Sequence, residues 1–251
     1  MQALEVSTFI GLRHVETDVE RRVQIAFSVA PSKIQRFLPR SWEAATTPPG
    51  PSEGANLLIA FRNRLHTVYQ GGDGNGHLGE QDRGIVVLVV ARHADDGEVG
   101  LWVVRSLAAS PHSIPGPYRN SKRATIQMEQ RMTSDEASGG GGVGIESWQI
   151  RDRSGQGLMM YLRYRAGVPV QSISHMTMRG GEDPTFRRIY RTDKGADVVR
   201  SRPLAVDRVE EFRFSSTLEE FAEIFDGNEK LVSIGVEPWY IRQVLMPTNE
   251  V

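Results

Sequence analysis

The chain has 251 residues with 25 glycines, 13 prolines and no cysteine, and its formal net charge is −1 at pH 7. The missing cysteine excludes disulfides, thiolate nucleophiles and cysteine metal sites, and fits a reducing compartment, so a cytoplasmic location is expected. The 30 basic residues are interleaved with 31 acidic ones rather than gathered in a block, which argues against nucleic acid as a partner.

The first twenty positions carry Glu5, Arg13, Glu16, Asp18 and Glu20 and no apolar stretch, so neither a signal peptide nor a membrane span is expected there. Beyond them, short apolar or alternating runs bounded by Gly, Pro, Asp and Asn predict strands over 23–29, 55–69, 84–92, 99–107, 123–133, 143–151, 157–165, 173–178, 186–190, 209–214 and 239–246. Helical signals are confined to 31–38, which has a proline near its start and Pro39 as a stop, and to 216–225, with a Ser/Thr cap and Gly227 at its end. The Gly-rich stretches 70–79 and 138–144 each lie between predicted strands with no change in composition around them, and read as hairpin loops. These patterns predict one mainly β domain over 1–251, a large closed or nearly closed antiparallel β-barrel with short flanking helices. At this length roughly 70 to 75% of the unfolded surface is buried, which leaves no need for a stabilising metal or disulfide.

Most chemical motifs are absent or incomplete. Gly74-Asn75-Gly76-His77-Leu78-Gly79 matches G-x-G-x-x-G, but a strand follows where a dinucleotide site needs a helix whose N-terminal amides hold pyrophosphate. Asp73 and Asn75 lack the rest of a calcium loop. His14, His66, His77, His93, His112 and His175 show no i, i+4 pair, and there is neither a nucleophile elbow nor a P-loop. No metal and no cofactor are expected.

Lysine is scarce, with Lys33, Lys122, Lys194 and Lys230 the complete set. Lys122 follows the turn Gly116-Pro117-Tyr118-Arg119-Asn120-Ser121 and, in an extended chain, shares a face with Ala124, Ile126 and Met128. Burial disfavours the charged form of a lysine, and a free amine condenses with a ketone where a guanidinium does not. Lys122 is therefore the candidate nucleophile, buried on an apolar face, while Lys33, Lys194 and Lys230 are placed in a helix or polar turns. Arg123 is the neighbouring cation, although adjacent strand residues point to opposite faces, and inward-facing Arg105 or Arg62 would add to its effect. A hydrated Lys-Arg pair at a loop edge is the competing reading.

Val29-Ala30-Pro31-Ser32 with Phe37-Leu38-Pro39, then Gly54-Ala55-Asn56-Leu57-Leu58-Ile59, the turn into Lys122-Arg123 and the closing Tyr240-Ile241-Arg242-Gln243-Val244 together resemble the acetoacetate decarboxylase-like superfamily. That resemblance implies a large β-barrel around a reactive lysine, a homo-oligomer, and a small keto-acid or oxo-acid partner. The decarboxylases carry Gly-Tyr-Pro-Lys-Lys-Leu-Ala, with the Schiff-base lysine first and an activating lysine second; the decarboxylase is the standing example of such activation. Here Ser121-Lys122-Arg123-Ala124 takes that place. The second lysine is arginine, the Gly-Tyr-Pro lead-in is missing, and the expected glutamate has no counterpart in Arg83-Gly84-Ile85-Val86-Val87, with Glu80 outside that run.

The resemblance implies a cofactor-independent lyase in which Lys122 forms an imine with a ketone, β-keto acid or 2-oxo acid, assisted by Arg123, with Arg105, Arg62 and Tyr118 binding substrate. Decarboxylation and aldol or dehydration chemistry both follow from such an electron sink. Two other readings stand beside it: a non-catalytic barrel for a small hydrophobic or carboxylated ligand, and an acid-base isomerase or cyclase using Glu129, Glu146 or His175 without an imine.

Overall fold

The computed structural model describes residues 11–69, 78–79, 82–110, 121–133, 142–180 and 187–248. Tyr118, His77, His112, Glu80 and most of the two Gly-rich stretches lie outside them. In chain order the strands are β1 (Leu12–Ser28), β2 (Trp42–Ala44), β3 (Leu57–Tyr69), β4 (Leu78–Gly79), β5 (Asp82–His93), β6 (Val99–Ala108) and β7 (Ser121–Thr133). They continue as β8 (Val143–Asp152), β9 (Gly157–Arg165), β10 (Val170–Gly180), β11 (Arg187–Ser201), β12 (Val206–Asp207), β13 (Val209–Ser216) and β14 (Lys230–Pro247). The mainly β reading holds.

All of them join one sheet, and seven close into a ring in the order β6-β10-β11-β14-β1-β3-β5 and back to β6. The ring is antiparallel except where β6 runs parallel to β10, Leu101–Val103 against Met178–Gly180. A second parallel pair joins β6 to β7 over Ser121–Arg123. The expected wholly antiparallel sheet is thus corrected at two places. The physical reason at β6–β7 is chain length: residues 109–120 supply the dozen or so that a parallel crossover requires, where a hairpin would have forced reversal.

From β7 the sheet continues through β8, β9 and β13 and folds back against the outer face of the ring. Burial of both faces explains the unbroken apolar runs of β3 and β5. Leu57, Ile59 and Phe61 of β3, with Ile85, Val87 and Val89 of β5, meet Trp148, Ile150, Met160 and Leu162 of the returning strands. The alternate residues Leu58, Val86, Leu88 and Val90 point into the ring. Each face is a separate apolar cluster because successive side chains in a strand point opposite ways.

Where the sequence patterns fall short, buried polar residues are the cause. β1 begins at Leu12 rather than Val23, β11 runs on to Ser201, and β14 starts at Lys230. Their unpredicted halves bury Glu16, Asp18, Glu20, Thr192, Asp197, Ser233 and Glu237. The helix α1 spans only Pro31–Gln35. The predicted helix over 216–225 is a 3-10 turn, Glu219–Phe221. There the buried residues Leu218, Phe221 and Ile224 repeat every third position, and the bonds from Phe221 N to Leu218 O and Ile224 N to Phe221 O follow that period rather than 3.6.

Candidate functional site

β1 carries Glu16, Asp18, Glu20 and Arg22 at every second position, so all four project to one face. Its neighbours bring cations to the same level. Asp18 lies opposite Arg242 of β14, Glu20 lies opposite Arg64 of β3, and Arg22 lies opposite Arg62. Asp18 accepts hydrogen bonds from Arg242 Nε at 3.1 Å and from Thr67 Oγ1 at 2.6 Å. Glu20 pairs with Arg22 Nε at 2.5 Å, Arg242 at 3.3 Å and Arg62 at 3.5 Å. Arg64 bridges Asp18 and Asp82 at 3.4 Å each.

Burial sorts the protons in this cluster. The Glu16 carboxyl is pushed up to about 9, by desolvation first and then by its hydrogen bond to Asp18 and that group's charge, so it stays protonated at neutral pH. Desolvation also opposes ionisation of Asp18, but Arg242, Glu16 and Thr67 outweigh it and hold the group well below the usual carboxylate range. Glu20 is likewise depressed against its burial, by Arg22, Arg242 and Arg62. With Glu16 neutral, four guanidinium groups (Arg22, Arg62, Arg64, Arg242) face three carboxylates (Asp18, Glu20, Asp82) among the described residues, a surplus of one positive charge.

That surplus borders a cavity of about 640 Å³ inside the ring. One wall is apolar, with Leu58, Val86, Leu88, Val103 and Met178; the polar end holds Arg22, Arg62, Arg242, Tyr190, Tyr240 and Lys194. Arg62 is the least satisfied of these cations. It is 4% exposed, and among the described residues its one ion pair is the 3.5 Å contact to Glu20 and its Nε has no hydrogen-bond partner. Burial lowers its pKa against the pull of Glu20, the sign of a guanidinium short of counter-charge. Such a group receives a carboxylate, whose two oxygens match the planar donors.

Of the described residues expected to form the imine or bind substrate (Lys122, Arg123, Arg105 and Arg62), Arg62 alone lines this cavity. Lys122 is exposed at the first turn of β7, and the expected burial is corrected. The face assignment was sound, since Ala124 is buried and Ile126 and Met128 are half-buried on it. But Lys122 stands at the strand's end, beyond the cover that shields Ala124, where its charge reaches Asp152 of β8. Arg123 is also exposed. Arg105 turns to the outer face and pairs with Glu220, because Val104 is an extra residue between the Leu88–Val103 and Val87–Arg105 pairs and shifts the alternation.

Lys194 was expected in a polar turn, yet it lies on β11 and is the one lysine of the four that lines the cavity. Its Nζ donates to Glu237 Oε1 at 2.5 Å, and it stands 5.9 Å from the centre of the Tyr240 ring, on which Arg22 stacks at 3.5 Å. Among the acid-base candidates, His175 lines the cavity, Glu129 pairs with Arg131 on the surface, and Glu146 is buried on the other side of the sheet beside Gln130. Among the described residues no group of three or more His, Asp or Glu is placed to hold a metal ion.

Solved structures share this arrangement of strands. An acetoacetate decarboxylase-like enzyme from Sphingomonas wittichii RW1 superimposes with a TM-score of 0.54 at 12% identity, over 92% of this chain and 90% of that one. The enduracididine biosynthesis enzyme MppR, with HEPES bound, gives 0.52 at 12% identity, over 92% and 85%. The fold is the acetoacetate decarboxylase-like fold. No family model and no curated sequence matches the chain. At such identities the likeness is one of architecture, and the acetoacetate decarboxylase-like fold by itself assigns no residue a role. No helix among the described residues is long and apolar enough to cross a membrane.

Proposed function

We propose that the protein is a lyase acting on a small carboxylate-bearing ketone, either a 2-oxo acid or a β-keto acid, held inside the strand ring. The observation that carries this reading is Arg62: a buried, under-paired guanidinium at the polar end of an otherwise apolar cavity of about 640 Å³. A carboxylate docked there supplies the missing counter-charge, while the apolar wall takes the carbon skeleton. Solved structures of MppR hold pyruvate in one case and the condensation product of pyruvate and imidazole 4-carboxaldehyde in another, which makes 2-oxo acids the first ligands to try.

Within this reading the imine belongs to Lys194 in preference to Lys122, because Lys194 is the lysine at the cavity. Glu237 takes the ammonium proton, and the free amine adds to the carbonyl carbon. The resulting carbinolamine then loses its hydroxyl as water as Glu237 returns the proton. The protonated imine accepts the electron pair released by carbon–carbon cleavage or α-proton loss. Arg62 transfers no proton in this scheme and acts by positioning charge.

Borohydride trapping with pyruvate, followed by peptide mapping, tests the assignment: one adduct is expected, on Lys194, and Lys194→Arg abolishes it. An adduct on Lys122 instead moves the imine to the start of β7. Arg62→Gln is expected to weaken pyruvate binding at least tenfold, the loss of one charge-assisted pair of about 1.5 to 3 kcal/mol. Binding without any adduct favours the non-catalytic reading, for which the same cavity suffices.

A further inference from the structure

A second cavity, of about 600 Å³, continues from the first along the inner face of the ring. The two share Gln24 and Lys194, and even-numbered residues of β10 and β11 run from one to the other. On β10, Met178, Met176 and Ser174 line the first cavity and Ser172 and Val170 the second, all of even number and so on one face. On β11 the same holds for Tyr190 in the first, Lys194 in both, and Ala196 and Val198 in the second.

The cavities meet at Gln24 and Lys194. Ala60, Gln24, Gly235 and Val198 stand in register across β3, β1, β14 and β11. Gly235 is the telling residue. It sits inside a long strand, its φ is not positive, and a Cβ built on it meets nothing within 4 Å. Neither backbone conformation nor crowding calls for glycine, and the effect of its missing side chain is open space beside Gln24. Past it Val198, Val206 and Ile234 form the apolar part of the wall, with Ser172, Ser233 and the Asp197–Arg208 pair beside them, and the mouth carries Val168, Val170 and Leu204, which are 87%, 71% and 52% exposed.

We infer that the ligand is a carboxylic acid with an extended apolar tail, whose head sits at Arg62 and whose tail passes Gln24 and Lys194 at the Gly235 opening into the second cavity. This rests on the carboxylate reading above. It adds that the second cavity selects for chain length. From Lys194 to Val198 the strand covers roughly 13 Å at about 3.3 Å per residue, room for an alkyl chain of several carbons beyond the partition.

The probes are the saturated acids butanoate, hexanoate, octanoate and decanoate, titrated calorimetrically below their aggregation concentrations into the full chain, with the matching primary alcohols as controls. Affinity is expected to rise about fourfold per methylene as the tail enters apolar surroundings. Gly235→Phe fills the opening without a clash at Cβ, and is expected to abolish the rise for octanoate and decanoate while leaving butanoate within about twofold. Gly235→Leu gives the same result in smaller degree and serves if the phenylalanine variant melts early. Acids that bind with no dependence on length, or a length dependence untouched by either variant, overturn the tail inference while a loss of affinity in Arg62→Gln keeps the carboxylate site. Acids and alcohols binding alike with Arg62→Gln silent, or no acid binding at all, overturn both.

Discussion

Asp18 accepts from Arg242, Thr67 and Arg64 at once, so it serves two buried guanidinium groups and a hydroxyl. Replacing it by asparagine leaves two buried guanidinium groups without their shared anion, and Asp18→Asn is expected to cost about 3 to 5 kcal/mol of stability in urea unfolding. Glu146 tests the opposite case, a buried acid with no ion pair among the described residues. Desolvation pushes it up to about 7 while Gln130 donates to it at 2.5 Å. A carboxyl with a raised folded pKa binds its proton more tightly in the native state, so its contribution is fully present below the ordinary carboxylate value and is lost as pH rises through about 7. Glu146→Gln is therefore expected to match the parent near pH 4 and to exceed it at pH 8, by up to about 3 kcal/mol. Equal stability at both pH values would show that the carboxyl is hydrated.

At the scale of elements, the returning sheet depends on close approach between β8 and β9. A Cβ on Gly157 meets the carbonyl oxygen of Ile150 at 1.7 Å, a backbone contact that no rotamer change relieves. Gly157→Ala is expected to lower stability by 3 kcal/mol or more, at the upper end of overpacking costs, and to loosen β9 from β8 in hydrogen exchange. Gly195→Ala is expected to be milder, about 1 to 3 kcal/mol, because the atoms it meets at 2.6 Å belong to the Trp239 indole, which can shift.

For the whole molecule, β14 is central, between β1 and β11, and buries Val232, Ile234, Val236 and Val244. Most apolar residues of 232–246 are thus spent inside the fold, Ile241 being exposed. The homo-oligomer itself remains a proposal. Among the described residues β10 pairs with β6 only through Met178–Gly180, which leaves its earlier part, with exposed Val170 and Ile173, hydrogen-bonded to β11 alone. An edge of that kind pairs readily with a second copy. Sedimentation equilibrium at micromolar concentration is expected to give a multiple of 28.0 kDa, and Ile173→Lys to shift it toward the monomer.

The mainly β architecture was legible in sequence because most strands bury at least one apolar face, and the short apolar run over Gly84 to Arg92 and the alternating one over Gly157 to Arg165 report that directly. Of the two arginines expected to face inward, Arg62 lines the cavity and Arg105 does not. What the pattern concealed was burial of charge. Glu16, Asp18, Glu20 and Arg22 alternate as strictly as any core strand, yet read as a solvated surface until β3 and β14 bring Arg62, Arg64 and Arg242 opposite them. Lys122 shows the converse. Its sequence neighbourhood is apolar, but exposure at a strand end depends on how far the covering strands extend, and Lys194, 72 positions later in a polar stretch, faces the cavity because β11 is held between β10 and β14. Local pattern determines which residues share a face; only the closing of the ring decides which face is inside.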